Sequence, residues 1–588
     1  MRLRTSLTLL ALALLSCPQL KAQEEADGKK VSLTGAVQSD VLFPQADPKI
    51  GASRDNWSLT NTYAELHLRN KYVEAGARFE GLEHPLPGFE SGFQGRGIPY
   101  FYVKGKYKGV ELTAGDFYDQ FGSGLIFRTY EERSLGIDNS LRGGRLAVKP
   151  FKGVSIKLLG GQQRYYWETR DFSKDDPWIY GGDLELNVDQ WFKSMQDGGT
   201  SLLLGFSAIS KHEGDEDILI TDKTGATDEF GADVIGSYRL NLPKNVAAFD
   251  ARANLNTGNF NLLAEYAWKG QDPSFSNGYI YHHGQALLLS GSYSRRGLSV
   301  LLQAKRSENM SFRSRRSVTG TACTINHLPA FSMQHTYALA AIYPYGTQTG
   351  KYGYDASQQV PGEWAFQGEL GYNFKRKTLL GGKYGTKVKV NFSHIRAIDQ
   401  AYNGRDEYVA GTDGYSSKFF KMGDEVYYQD INVQVEKKLT KDFKLSLMYM
   451  NQKYNKTIVE GEGGMIKSNI AIAEGKWNIN KKLTLRGEAQ YLHTKQDQKD
   501  WWYGLLELSV LPSLMFTISD MYNGHVESAD HQSTSKQHYY MGSVCFTRKA
   551  HRLQVGYGKT RAGYNCSGGV CRYVPAQKGV TVSYNFNF

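Results

Sequence analysis

The densest run of chemically capable side chains is "GDFYDQFGSGLIFRTYEERSLGIDNSLRGGR", residues 115–145. It holds Asp116, Asp119, Arg128, Glu131, Glu132, Arg133, Asp138, Arg142 and Arg145, with glycines at 122, 124, 136, 143 and 144. Rows of guanidinium and carboxylate groups do one of two things. Across a wet passage they set a transverse field and a constriction, as charged rings do in pores. Packed together they neutralise each other and brace a connection between strands. Arg128, Glu131, Glu132, Arg133, Asp138, Arg142 and Arg145 are candidates for either role. In "SFRSRR" (311–316), Arg313, Arg315 and Arg316 would attract anions at a mouth or meet lipid phosphates.

Catalytic groupings are weaker. Asn391, Ser393 and His394 are neighbours in sequence, but adjacent residues of a strand point to opposite faces. Ser393 and His394 therefore cannot act as nucleophile and base for each other. His212 and His335 read as isolated polar surface. Asp215, Glu216, Asp217 and Asp222 offer hard oxygens for Ca²⁺, yet the fixed EF-hand spacing is missing, and a solvated loop is the plainer reading. There is no phosphate-cradling loop and no zinc-spaced Cys/His set. The expectation is no enzyme, no cofactor and no metal. Cys566 and Cys571 in "NCSGGVCR" could close a small disulfide loop outside the cytoplasm, whereas Cys323 and Cys545 are free or pair with each other.

Strands must position these residues. In "LTLRGEAQYL" (483–492), Leu483, Leu485, Gly487, Ala489 and Tyr491 share one face and Thr484, Arg486, Glu488 and Gln490 the other. Such period-2 segments recur from Val31 to Phe588, with no linker between them. Short connections, such as 70–72, 106–110 and 478–483, alternate with long ones, such as 211–245, 396–424 and 519–536. Tyrosine is abundant (38) and mean hydropathy is −0.48, too low for one large aliphatic core. Half-apolar strands, aromatic girdles and this loop rhythm fit a transmembrane barrel, whose closure leaves no edge. Trp501, Trp502, Tyr503, Tyr539 and Tyr540 read as girdle residues.

The fold expected is all-β: a large antiparallel up-and-down transmembrane barrel of about 26 strands, with 24 the next count. The strand hardest to find is placed within 311–335. Residues 1–22 read as a signal peptide, with Arg2 and Arg4 before an apolar run, and 23–588 as the barrel. "LLSC" leaves open that Cys17 is lipidated. The net charge of +11 includes Arg2, Arg4 and Lys21, so +8 stays with the mature chain, spread over many strands. Nucleic acid is a poor partner for an exported chain.

"GAVQSDVLFP" (35–44), "ARFEGLEHPLPGFE" (77–90), the 115–145 segment, "INHLPAF" (325–331) and "NCSGGVCRYVPA" (565–576) together resemble an uncharacterised, domain-of-unknown-function family of outer-membrane proteins from Gram-negative anaerobes. The resemblance covers nearly the whole mature chain and implies export and a barrel, but no activity. The terminal "GVTVSYNFNF", with Tyr584, Phe586 and Phe588, also resembles the signal read by the barrel-insertion machinery. The function expected is a channel or transporter for an unknown polar solute. The alternative is a non-conducting structural or docking component of an outer-membrane complex, and a barrel hydrolase is third. The partners expected are outer-membrane lipid, the insertion machinery, and a solute or envelope protein.

Overall fold

The structure, a computed structural model, describes residues 31–173, 175–214, 216–227, 229–231, 233–318, 320–347, 362–402, 409–527 and 534–588. The signal-peptide reading, Cys17 and Asp215 lie outside these residues. Among them, 24 strands form one antiparallel sheet. The first strand, Ser32–Pro44, pairs on one side with Leu59–Arg69 and on the other with the last, Gln577–Asn587. Val37 lies opposite Phe586 and Val41 opposite Val582. The sheet is a closed barrel, so every strand has two neighbours.

The count is 24 rather than 26. Among the described residues of 311–335 no strand of the barrel occurs, and Phe312, Ile325, Leu328 and Phe331 are packed inside the barrel. These apolar residues mimic a strand in sequence, but they face a protein core instead of lipid.

Alternation decides which way each side chain points. Leu302 is 64 % exposed and Ile518 60 %, both on the outer wall, with Leu66, Leu68, Phe101 and Phe516 similarly bare. Their neighbours in sequence turn inward: Asn391, Ser393 and Asp430 are buried on the lumen side. No helix of the described residues is long and apolar enough to cross a membrane. The outer apolar wall is the surface that lipid covers in a barrel of this kind.

Short turns gather at one rim. Residues 70–72, 108–109, 258–259, 296–297, 439–442 and 549–550 link strands there, with longer links at 188–199 and 375–385. Lys108 and Gly109 both have positive φ (43° and 82°), the signature of a two-residue hairpin turn matched to strand twist. The long connections begin at the opposite rim, after Phe117, His212, Glu308, Ile398 and Thr560. The largest apolar core is not between sheets. It fills the lumen, built from inward wall residues and from loops 118–140 and 309–347.

Candidate functional site

Loop 118–140 leaves the strand Val110–Phe117 and returns to Leu141–Val148. Gly122 (φ 51°) and Gly124 (φ 94°) let it reverse, and the Phe121 N–H donates to the Phe127 carbonyl (3.1 Å). That turn presents Phe121, Leu125, Ile126 and Phe127 to the core, all fully buried. The Ser123 N–H then donates to both oxygens of Glu265 (3.0 and 3.1 Å), on the far strand Phe260–Lys269. A Cβ on Gly122 would sit 2.5 Å from the same carboxylate, so this approach needs glycine.

Charged residues fasten the loop's base. The Asp138 carboxylate accepts from Arg78, and from Arg164 Nη1 at 2.5 Å, the Tyr118 hydroxyl at 3.0 Å and the Ser140 N–H at 3.1 Å. Glu80 closes the square, at 2.8 Å from Arg78 and 2.9 Å from Arg164. Burial alone would raise the Asp138 pKa, but Arg164 and Arg78 override it and hold the carboxyl well below the usual range. Glu131 contacts Arg78 (3.1 Å) and Arg133 (2.7 Å), yet its pKa is raised because burial outweighs both cations. Arg133 also reaches Glu65 and lies 4.3 Å over the Tyr63 ring. Along the wall, Arg142 pairs with Asp116 (2.8 Å), and Arg145 with Asp119 (2.5 Å) and Glu111 (2.6 Å). Arg128 lies over Tyr130 (4.6 Å), while Glu132 accepts from the Ser134 hydroxyl (2.7 Å). Arg133, Glu131 and Asp138 are thus drawn together; Arg142 and Arg145 form separate pairs, and Arg128 and Glu132 stand apart.

Loop 309–347 crosses the lumen above this base. Met310, Phe312, Ile325, Leu328, Phe331 and Leu339 are buried in the shared core. Hydrogen bonds tie the loop to widely separated walls. Gln163 donates to the Thr324 carbonyl (2.7 Å), Gln452 to Tyr343 O (3.0 Å), and the Leu339 N–H to Gln490 (2.8 Å). It also bonds to its companion: Arg128 N–H to Ile325 O (2.8 Å) and His327 N–H to Gly124 O (2.9 Å). Arg316 meets Glu213 at 3.0 Å, and Glu213 meets Lys211 at 3.0 Å, all buried. A hairpin from the last long loop, Gly563–Ser567 with Val570–Val574, is crosslinked by Cys566–Cys571. It touches both inward loops: Thr347 N–H donates to Gly569 O (2.9 Å), and Arg572 donates to Ser134 O (3.0 Å). Cys323 and Cys545 are free and buried.

Residues 2–588 match the family described as "Family of unknown function (DUF6029)". The chain belongs to DUF6029. No curated protein matches it. Solved structures of low identity are also similar to it. The siderophore receptor PirA of Pseudomonas aeruginosa is 10% identical, with 95% of this chain and 80% of that chain covered, at TM-score 0.39. The translocation pore of the P pilus usher PapC is 10% identical, covering 95% and 99%, at 0.38. OccAB3 of Acinetobacter baumannii is 8% identical, covering 95% and 99%, at 0.32.

The DUF6029 barrel is unequal along its axis. Towards the short-turn rim the inner wall carries a charged ladder that stays partly exposed. Lys389 lies 3.6 Å from Glu369, Lys444 2.6 Å from Glu436, and Arg486 3.2 Å from Glu474 and 3.1 Å from Glu488. This half is a polar vestibule; the half under the long loops holds the apolar core that loops 118–140 and 309–347 share with the wall, with a cavity of about 380 Å³ beside Arg78, Tyr118, Glu131 and Arg145.

Several sequence expectations change. Arg313 and Arg316 are buried in the lumen, and Arg315 pairs with Glu168 (2.7 Å), rather than lining an open mouth. Trp502 (53 % exposed) and Tyr540 face outward. Trp501 (1 %) and Tyr539 face the lumen, because neighbours in a strand alternate. His335 is half-buried in loop 309–347 with its Nε2 enclosed, not free on the surface. Ser393 lies on the inner wall beside Asp430, one residue from outward His394. Asp217 pairs with Arg239 (2.5 Å), and among the described residues no three acidic, His or Cys side chains gather as a metal site. Sequence reasoning missed the wall partners Arg78, Glu80 and Arg164 and the whole of the second inward loop. The readable signal was apolar content: "FGSGLIF" (121–127) is too greasy for a solvated loop.

Proposed function

We propose that this protein sits in the outer membrane of a Gram-negative bacterium as a closed barrel, serving as a structural or docking component of the envelope and not as a diffusion pore. One observation carries this reading: loop 309–347 is bonded to walls on several sides of the lumen while sharing an apolar core with loop 118–140. Withdrawing the plug would unpair buried charges such as Arg316–Glu213 and Asp138–Arg164, each break costing about 3–5 kcal/mol. An open state that high in free energy is negligibly populated.

The polar vestibule favours a second reading, transport coupled to plug displacement, since a purely structural barrel has no use for a charged ladder facing water. Lipid surrounds the outer wall, and the insertion machinery engages the final strand through Tyr584, Phe586 and Phe588; the docking partner is an envelope protein. Planar-bilayer recording of the purified full barrel is the test. A sealed bilayer that stays silent at moderate voltage supports the docking reading. A stable open conductance at rest overturns it, and steps that appear only with an added periplasmic energy-coupling partner support transport.

A further inference from the structure

The outer wall carries cations where a lipid phosphate would lie. His394 and Arg396 project outward from the strand Thr386–Ile398, Lys453 from Phe443–Asn455 and Lys467 from Met465–Asn478. Their parity follows from exposed residues an even number of positions away: Phe392, two before His394, and Tyr449, four before Lys453. Register places Lys453 directly opposite Lys467 and, across the other edge, opposite Gln429, which faces His394. His394 and Arg396 share one face of their strand two residues apart, and His394, Gln429, Lys453 and Lys467 form one row across four successive strands.

Like charges placed side by side repel and need an anion. Among the described residues none is supplied by the protein. The carboxylates of the neighbouring chain have other partners: Asp500 accepts from His493 (2.8 Å) and Tyr491 (2.9 Å), Asp399 meets Lys421 (2.8 Å), and Glu425 accepts from the Asn455 amide (3.2 Å). Arg396 Nε is buried without a hydrogen-bond partner. In the lumen, by contrast, Arg78, Arg133, Arg142, Arg145, Arg164 and Arg316 each meet a carboxylate.

Height fixes the kind of anion. Trp477, 49 % exposed, marks the short-turn end of the same strand as Lys467. Ten residues at about 3.4 Å span roughly 34 Å along the strand. At a tilt near 40° that is about 26 Å across the membrane, matching the ~25 Å apolar band of such barrels. Lys467 and its neighbours therefore emerge at the headgroup level on the long-loop side.

We infer that Arg396, Lys453 and Lys467 form a site for the phosphorylated headgroup of an outer-leaflet glycolipid, with His394 beside it. The inference rests on the outer-membrane orientation of the barrel but not on whether its lumen conducts, so bilayer recordings and lipid retention fail independently.

The test is native mass spectrometry of the full barrel released from micelles doped with a bis-phosphorylated glucosamine lipid, its dephosphorylated form, or inorganic pyrophosphate. Each surface cation near anionic lipid contributes roughly fivefold. Arg396→Gln/Lys453→Gln/Lys467→Gln should therefore lower retention of the phosphorylated lipid about a hundredfold. Lys467→Gln, an exposed position that spares the fold, should lower it about fivefold, and Lys441→Gln in a short-rim turn should leave it unchanged. Equal retention by wild type and Lys467→Gln overturns the proposal, as does equal retention of the dephosphorylated lipid. Pyrophosphate binding as tightly as the lipid would assign the cluster to a free anion and overturn it too.

Discussion

Asp138→Asn isolates the plug from the wall. The residue lies in loop 118–140, and its carboxylate bridges Arg78 and Arg164, both of which belong to the wall and are nearly inaccessible. Asparagine keeps the volume and one acceptor for Tyr118, but leaves two guanidinium groups sharing only Glu80 and Glu131. Removing one partner of a buried pair costs about 3–5 kcal/mol. Because the barrel strands keep their own ladders, the loss falls on local opening of the loop, raising its open population by a factor of roughly 10² to several thousand. Hydrogen exchange of peptides covering 119–139 in detergent should accelerate by that factor, while peptides from Thr386–Ile398 stay protected. The depressed pKa gives a second check. Its stabilisation is complete above the unfolded value near 4 and is lost only as pH falls below that towards the folded value. Wild-type loop protection should therefore persist at pH 4.5. If Asp138→Asn exchanges within threefold of wild type, the square of charges does not hold the loop and the reasoning is refuted.

His327 and His335 titrate the other way from a salt-bridged imidazole. Burial, aided at His327 by Arg128 and Lys305, lowers both to about 4. Their contribution is complete above about pH 6.5 and declines as pH falls towards 4, by about 2 kcal/mol per ring at pH 5. Exchange in 320–340, corrected for intrinsic rate, should thus rise about 30-fold per ring between pH 7.5 and 5, and an invariant rate would count against buried neutral rings. Cys323 is buried, and burial pushes its thiol up to about 11. Maleimide should label it slowly in the wild type at pH 7.5 and much faster in Asp138→Asn, if release of one inward loop loosens the other; equal rates would show that the two loops open separately.

The barrel was legible because its rule is local. Arg486 and Glu488 point inward and Leu485 sits on the opposite face, as period-2 reading of 483–492 requires, and the loop rhythm recorded which rim each connection occupies. The seven charged candidates in 115–145 stood out for their density, but the structure brings only Glu131, Arg133 and Asp138 together and leaves the other four in separate contacts. What closes the lumen was not. Arg78 and Glu80 read as ordinary polar residues of a strand, and nothing adjacent to them predicts Asp138, sixty residues on. Residues 311–335 misled the strand count because a segment buried in a plug and one buried in lipid have similar composition; only the three-dimensional path distinguishes them. Trp501 and Trp502 show the limit at finer grain: girdle chemistry was evident, but the face each ring occupies depends on register.

The crosslinked hairpin at 563–574 belongs to the connection before the final strand, and it rests on both inward loops. Its position couples the seam to the plug. Gln577–Asn587, which closes the ring against Ser32–Pro44, follows the hairpin after two residues, and the hairpin touches Thr347 and Ser134. The strand that completes the wall is thus tethered, through one short connection, to an extra fastening of the stopper.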